Sequence, residues 1–131
     1  MARCRCGSAK QYKRCCGPLH DGSPPSGVEA LMRSRYCAYA RGLSEYIVRT
    51  THPDGPHFQS DRALWLADVE RFCERTRFAG LAVSAVEQGA TCGFVSFTAT
   101  LEVAGADASF GERSRFELLD GRWLYHSGTS L

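Results

Sequence analysis

No stretch of this sequence gathers the roughly 18 apolar residues that a membrane-spanning helix requires, so insertion into a bilayer is not expected. The first residues, Met1-Ala2-Arg3-Cys4-Arg5-Cys6, are charged and cysteine-bearing where a secretory signal would be apolar, and the expected compartment is the cytoplasm. Neither sign of charge prevails. Sixteen Lys and Arg stand against 14 Asp and Glu, a net charge of +2, well short of the basic excess of a dedicated nucleic-acid binder. Phosphate-binding glycine loops, the dinucleotide fingerprint and the serine-nucleophile motif are missing, which removes the commonest signatures of nucleotide-using and acyl-transfer enzymes. Repeats and low-complexity tracts are absent too. What is present, 131 residues of which 44% are apolar and 11% aromatic, suffices for one compact domain and a small appendage.

Four of the seven cysteines crowd into the first sixteen residues: Cys4-Arg5-Cys6, then Cys15-Cys16 after a polar, basic spacer. An odd count, clustered in this way, argues against a secreted disulfide framework. Four soft thiolates at this spacing suit one tetrahedral zinc ion held by Cys4, Cys6, Cys15 and Cys16. Adjacent cysteines such as Cys15 and Cys16 bridge each other only with strain, so an oxidised pair is the poorer reading. Four protein ligands leave no coordination position for water, which makes the expected zinc structural and not hydrolytic. His20, beyond Gly17-Pro18, is less suited as a ligand. Cys37, Cys73 and Cys92 stand singly among apolar residues and read as small buried hydrophobes. Residues 1–20 hold Arg3, Arg5, Lys10, Lys13 and Arg14 and no acid, while the remainder carries an acidic excess. These cations favour the thiolates electrostatically, and the same surface would suit an acidic protein or, less well, a nucleic acid.

Residues 21–27, rich in Gly, Ser and Pro, form a linker between this knuckle (1–20) and the main domain (28–131). Ser26 and Glu29 make a capping box for a helix running to about Arg41, stopped by Gly42. On that helix Val28, Leu31, Met32 and Tyr39 share one stripe with Arg35 in its middle. An arginine there must snorkel or find a partner. A second helix is expected over 44–50. A third, capped near Ser60 or Asp61, presents Trp65, Val69, Phe72 and Cys73 on one face. Strands follow: Leu81 to Glu87, then Cys92 to Val103 with strict apolar alternation, then Phe110 to Leu119. Asp120-Gly121 signals a two-residue hairpin that sets Leu118 against Trp123, Phe116 against Tyr125 and Arg115 against His126. The expected class is α+β, three N-terminal helices packed on a curved antiparallel sheet that encloses a cone.

Two stretches resemble known proteins. Cys4-x-Cys6-Gly7-Ser8 followed by Cys15-Cys16-Gly17 resembles the SEC-C zinc knuckle, best known at the C-terminus of the translocase ATPase SecA. Leu31-Met32-Arg33-Ser34-Arg35-Tyr36-x-Ala38-Tyr39, with Tyr46, Thr51-His52-Pro53 and the Trp123-x-Tyr125-x-x-Gly128 ending, resembles the YchJ-like proteins. The resemblance implies a cystatin-like cone of the nuclear-transport-factor-two kind behind the knuckle, zinc on the four cysteines, and no assigned activity. Ala9 departs from the knuckle pattern, which usually has Gly there.

From these residues and this resemblance, three functions are weighed. The first is a binding or adaptor module whose knuckle docks an acidic protein partner, as SEC-C docks SecB. The second is a small-molecule binder or enzyme using a cone pocket drawn from Arg35, Tyr36, Tyr39, His52, Trp65, Trp123 and Tyr125. There Arg35 would anchor an anion, and His52, with Asp54, would serve as acid and base. The third is nucleic-acid or ribosome binding through the basic knuckle. A homodimer through the sheet is a further expectation, since cone domains often pair that way.

Overall fold

In the computed structural model, which describes residues 3–131, four helices precede a five-stranded antiparallel sheet. They are α1 (Cys16–His20), α2 (Val28–Arg41), α3 (Ser44–Arg49) and α4 (Arg62–Arg75). The strands are β1 (Thr76–Gln88), β2 (Cys92–Val103), β3 (Ala106–Asp107), β4 (Phe110–Leu119) and β5 (Arg122–Ser130), ordered β1-β2-β4-β5 with β3 beside β2. The expected α+β class holds, with one short helix more than the sequence suggested. A single 3-10 turn, Tyr12–Arg14, leads into that extra helix, α1.

Helix α2 ends as expected: Gly42 adopts φ +74°, and its amide donates to Tyr39 O. Its start differs. Ser26 does not cap it; Gly27 occupies the N-cap position, and the Val28 amide donates to Gln88 Oε1 at 2.7 Å. The partner is 60 residues away, at the end of β1, so no local sequence rule could name it. Helix α4 is capped by Asp61, whose carboxylate accepts from the Leu64 amide at 3.0 Å. It buries Trp65 and Val69. The chain passes from α4 straight into β1 at Thr76, five residues before the expected strand start at Leu81. Pairing of Phe78 with Leu101 carries Phe78 into the core, and that burial outweighs the missing turn signal.

Alternation on β2 is as the sequence indicates: Val95, Phe97, Ala99 and Leu101 are all buried against α2. Bulges after Phe78 and Val83 bend β1. At the β4–β5 hairpin Asp120 and Gly121 both take positive φ, 51° and 78°, the two-residue turn that suits strand twist. Leu118 opposes Trp123 and Phe116 opposes Tyr125, as expected. Beyond that pair the register shifts, so Arg115 opposes Ser127, and the expected facing of Arg115 and His126 does not occur. The other edge of β5 accounts for this. There the Tyr125 amide donates to Thr50 O and the His52 amide donates to Tyr125 O, both at 2.8 Å, joining Thr51 to Tyr125 as a parallel bridge. Residues held on both sides at Tyr125 leave His126 as the extra residue of a bulge.

Candidate functional site

The cysteine cluster is built by a tight backbone turn. The Cys4 amide donates to Lys10 O at 2.7 Å and the Gly7 amide to Cys4 O, which folds residues 4–10 back so that both early sulfurs face α1. Ala9 sits in this turn at φ +68°, the left-handed region that favours glycine, which explains the usual Gly there. The Sγ atoms of Cys4, Cys6, Cys15 and Cys16 lie within 4.8 Å of one another. Cys6 and Cys15 are 3.6 Å apart and Cys15 and Cys16 3.9 Å. Sulfurs about 2.3 Å from a tetrahedral ion stand about 3.8 Å from each other, so the four fit a single metal ion. His20 is no ligand. Its Nε2 donates to Ser34 O at 2.8 Å and its Nδ1 accepts from the Tyr12 hydroxyl at 2.7 Å.

Protons are shared unevenly among these thiols. Burial pushes Cys4 up to about 12, while the hydrogen bond donated by Cys16 lowers Cys6 to about 4. Cys16 itself is raised, by its hydrogen bonds to Cys37 and Cys6 and then by burial. Four thiolates in this volume therefore require a cation, and metal binding must expel protons. Cys37, fully buried on α2, stands 3.7 Å from Cys4 Sγ, so it packs beside the cluster as well as filling space. Other contacts fix the cluster to the main domain. Arg33 Nη1 donates to Cys6 O at 2.7 Å, Arg5 Nη2 donates to Phe78 O at 3.1 Å, and the Arg41 guanidinium lies 3.8 Å from the Tyr12 ring centre.

The second site is a cavity of about 410 Å³ between α2, α4 and the sheet. Arg35, Tyr36, Tyr39, Trp65 and Tyr125 line it, together with apolar residues of β1, β2 and β4. Arg35 is 8% exposed. Its Nη1 donates to Thr50 Oγ1 (2.7 Å), Ile47 O (3.1 Å) and Thr51 Oγ1 (3.2 Å), and the guanidinium stands 4.6 Å from the Tyr125 ring centre. Among the described residues Arg35 forms no ion pair, and Nε and Nη2 have no hydrogen-bond acceptor. A buried charge with neutral partners only is rare, because it lacks the compensation that burial demands.

His52 and Trp123 line no part of this cavity; Trp123 faces a smaller cleft by Leu19, Pro24 and Pro25. His52 is buried, and the Asp54 amide donates to its Nδ1 at 3.0 Å, which leaves the ring proton on Nε2. The carboxylate facing that Nε2 belongs to Glu117, at 3.7 Å, and Asp54 meets His52 through its backbone. Glu117 also pairs with Arg115 at 2.6 Å and stands 3.9 Å from His126 Nε2.

The cavity also holds polar residues that the sequence does not single out: Thr51, His57, Gln59, Asp68 and, on the inner face of β4, Glu112 and Ser114. The Tyr125 hydroxyl donates to Glu112 Oε2 at 3.1 Å, and Ser114 Oγ donates to the same oxygen. Burial and the neighbouring Glu112 carboxylate push the Tyr125 phenol up, so it stays a neutral donor. A signal existed: Glu112 and Ser114 interrupt the apolar series Phe110, Phe116, Leu118 at period two.

Comparison with known proteins agrees with this architecture. Residues 27–128 match the family model described as the YchJ middle NTF2-like domain. A UPF0225 protein of Streptomyces coelicolor is 36% identical over 132 residues, covering 98% of this chain and 95% of that one. The solution structure of a SEC-C motif containing protein from Rhodopseudomonas palustris superposes with a TM-score of 0.84 at 36% identity, covering 99% of both chains. A crystal structure of a SEC-C motif containing protein from Psychrobacter arcticus gives 0.80 at 25% identity, covering all of this chain and 84% of that one. With its cysteine cluster, its cone and these matches, the chain belongs to the YchJ-like, UPF0225 family of NTF2-like proteins that carry a SEC-C motif.

Proposed function

We propose that the protein binds a small organic anion in its cone and uses zinc, on Cys4, Cys6, Cys15 and Cys16, to pin the knuckle to the wall of that cone. One observation carries the reading: Arg35 is buried in an aromatic-lined cavity, has no carboxylate partner among the described residues, and keeps two donor positions free. A guanidinium in a low-dielectric pocket attracts carboxylate or phosphate oxygens far more strongly than one in water, and its planar donors favour two-point contact. The volume of about 410 Å³ falls within the range of small-molecule sites. The zinc supplies structure only, since four sulfurs fill its coordination sphere. Calorimetric titration of wild type and Arg35→Met with a panel of aryl carboxylates and their neutral amides tests the reading. Binding of acids that the amide or the variant abolishes supports it. Equal binding of acid and amide refutes it.

Docking of an acidic protein is the second reading, favoured by a separate observation. Arg3, Arg5, Lys10, Lys13 and Arg14 are all exposed, and none forms an ion pair among the described residues. An array of acidic peptides, probed with wild type and with Lys10, Lys13 and Arg14 changed to Glu, tests it. Binding lost on reversal, with anion binding in the cone retained, supports docking. A preference for oligonucleotides, falling steeply with salt, would point to nucleic acid instead.

A further inference from the structure

Arg35 is not the only charge in the cone. Glu112 lines the same cavity from the facing sheet, and among the described residues the two form no ion pair with each other. Tyr125 stands between them. Its ring face lies against the Arg35 guanidinium, 4.6 Å away, and its hydroxyl, at the far end of the ring, donates to Glu112 Oε2 at 3.1 Å. The cation thus sits on the face of the phenol ring and the carboxylate at its hydroxyl, with no direct contact between them. Tyr125 and Ser114 both address Oε2, so Oε1 has no donor among the described residues. The fold also makes room for this carboxylate. A Cβ on Gly128 of β5 would overlap the Glu112 carboxylate and lie 2.8 Å from its Cγ. A side chain at 128 would therefore displace Glu112, and the Tyr125-x-x-Gly128 pattern acquires a physical meaning. Gly128 makes space for the acid, and Tyr125 spaces it from the arginine.

Asp68 also lines the cavity but is paired with Arg71, which leaves Arg35 and Glu112 as its unpaired charges among the described residues. These two opposite charges, each with unused hydrogen-bonding capacity and without direct contact, match an occupant with the reverse arrangement. Resting on the anion-binding reading above, we infer that the natural occupant is dipolar: an anionic group at Arg35, a protonated amine at Glu112, and a flat apolar body between. The aromatic walls formed by Tyr39, Trp65, Phe97 and Phe116 suit that body. A ligand bearing only the anion would leave Glu112 desolvated and unmatched, and its own charge would be opposed by that carboxylate.

The test uses the metal-loaded full chain and three matched probes in calorimetric titrations at neutral pH. These are 4-methylbenzoate (anion only), 4-(aminomethyl)benzoate (both charges, one ring apart) and 4-(aminomethyl)benzamide (amine only). The dipolar probe is expected to bind roughly tenfold tighter than 4-methylbenzoate. In Glu112→Gln, which keeps an acceptor for Tyr125, the two affinities are expected to converge. Equal binding of the two probes to the wild type, or an advantage that survives Glu112→Gln, overturns the dipolar assignment and leaves the anion reading standing. If 4-methylbenzoate does not bind, or binds wild type and Arg35→Met alike, the anion reading falls and this inference falls with it. The benzamide probe separates the same cases without any substitution. It should bind at least tenfold more weakly than the dipolar acid, and parity would deny Arg35 its role.

Discussion

Replacing Arg35 by methionine is the substitution whose stability effect best separates a functional from a structural arginine. Three hydrogen bonds from Nη1 would be lost, to Thr50 Oγ1, Thr51 Oγ1 and Ile47 O. Yet the acceptors left behind are not abandoned. The Thr50 hydroxyl donates to Tyr46 O at 2.6 Å, and the Thr51 hydroxyl donates to Ile47 O at 2.8 Å, so that carbonyl keeps a partner. Those three bonds contribute about 0.5–1.5 kcal/mol each, and the contact with Tyr125 up to about 2 kcal/mol. Against them stands the desolvation of a guanidinium with no carboxylate partner, an effective penalty of several kcal/mol. Methionine matches the apolar stem and faces aromatic rings it can pack against. The terms nearly cancel, so Arg35→Met is expected to unfold within about 1 kcal/mol of wild type, on the order of 4 °C in melting temperature, while losing anion binding. Urea denaturation followed by circular dichroism reads the first quantity and calorimetry the second. Breaking a buried ion pair would cost about 3–5 kcal/mol. A loss of that size, with the denaturation slope unchanged, would show that Arg35 holds the fold together and would refute this reasoning.

Further substitutions probe the remaining parts. Cys15→Ser with Cys16→Ser is expected to abolish metal binding by atomic absorption. It should also lower the melting temperature of the main domain, because Arg33, Arg5 and Cys37 tie the knuckle to α2 and β1. Ala9→Gly relieves a left-handed alanine and is expected to stabilise the metal-loaded knuckle by up to about 1 kcal/mol, read as slower zinc release to a chelator. Burial holds the His20 imidazole below its usual 6.5, so the native state binds fewer protons there than the unfolded chain does. Stability from this group is complete above pH 6.5 and lost as pH falls below it, and His20→Gln is expected to flatten that part of the melting-temperature profile. Gly128→Ala is expected to displace Glu112 and destabilise the fold by about 1–3 kcal/mol in urea titration, whereas Gly128→Ala with Glu112→Ala should recover most of that loss.

Local rules read much of this molecule from its sequence. The left-handed stop at Gly42, the cap at Asp61, the alternation of β2 and the Asp120-Gly121 turn each depend on residues within a few positions of one another. The anomaly of Arg35 on an apolar stripe was visible for the same reason. What stayed hidden depends on distant partners. Gln88 takes the place of Ser26 at the head of α2, and residues 50–52 add to the edge of β5 and turn His126 into a bulge. Pairing of Phe78 with Leu101 starts β1 inside a stretch with no turn residue. The cavity was half legible. Its α2 side follows from helical periodicity, whereas Glu112, a break in the apolar face of β4, becomes a cavity residue only once that face is seen to line the cone. His52, a titratable residue beside a proline, reads as a pocket candidate in the sequence, whereas the structure directs it toward Glu117, outside the cavity.

The central claim is that the Arg35 guanidinium waits in the cone for an anion. The most direct measurement is the Nε–Hε resonance of Arg35 in the 15N-labelled, metal-loaded protein, assigned by its loss in Arg35→Met and followed during titration with 4-(aminomethyl)benzoate. The account predicts a saturable downfield shift of that one resonance, with a midpoint equal to the calorimetric Kd and no shift when the benzamide is added. A resonance that does not move while the probe binds elsewhere, or that moves equally with acid and amide, would contradict it.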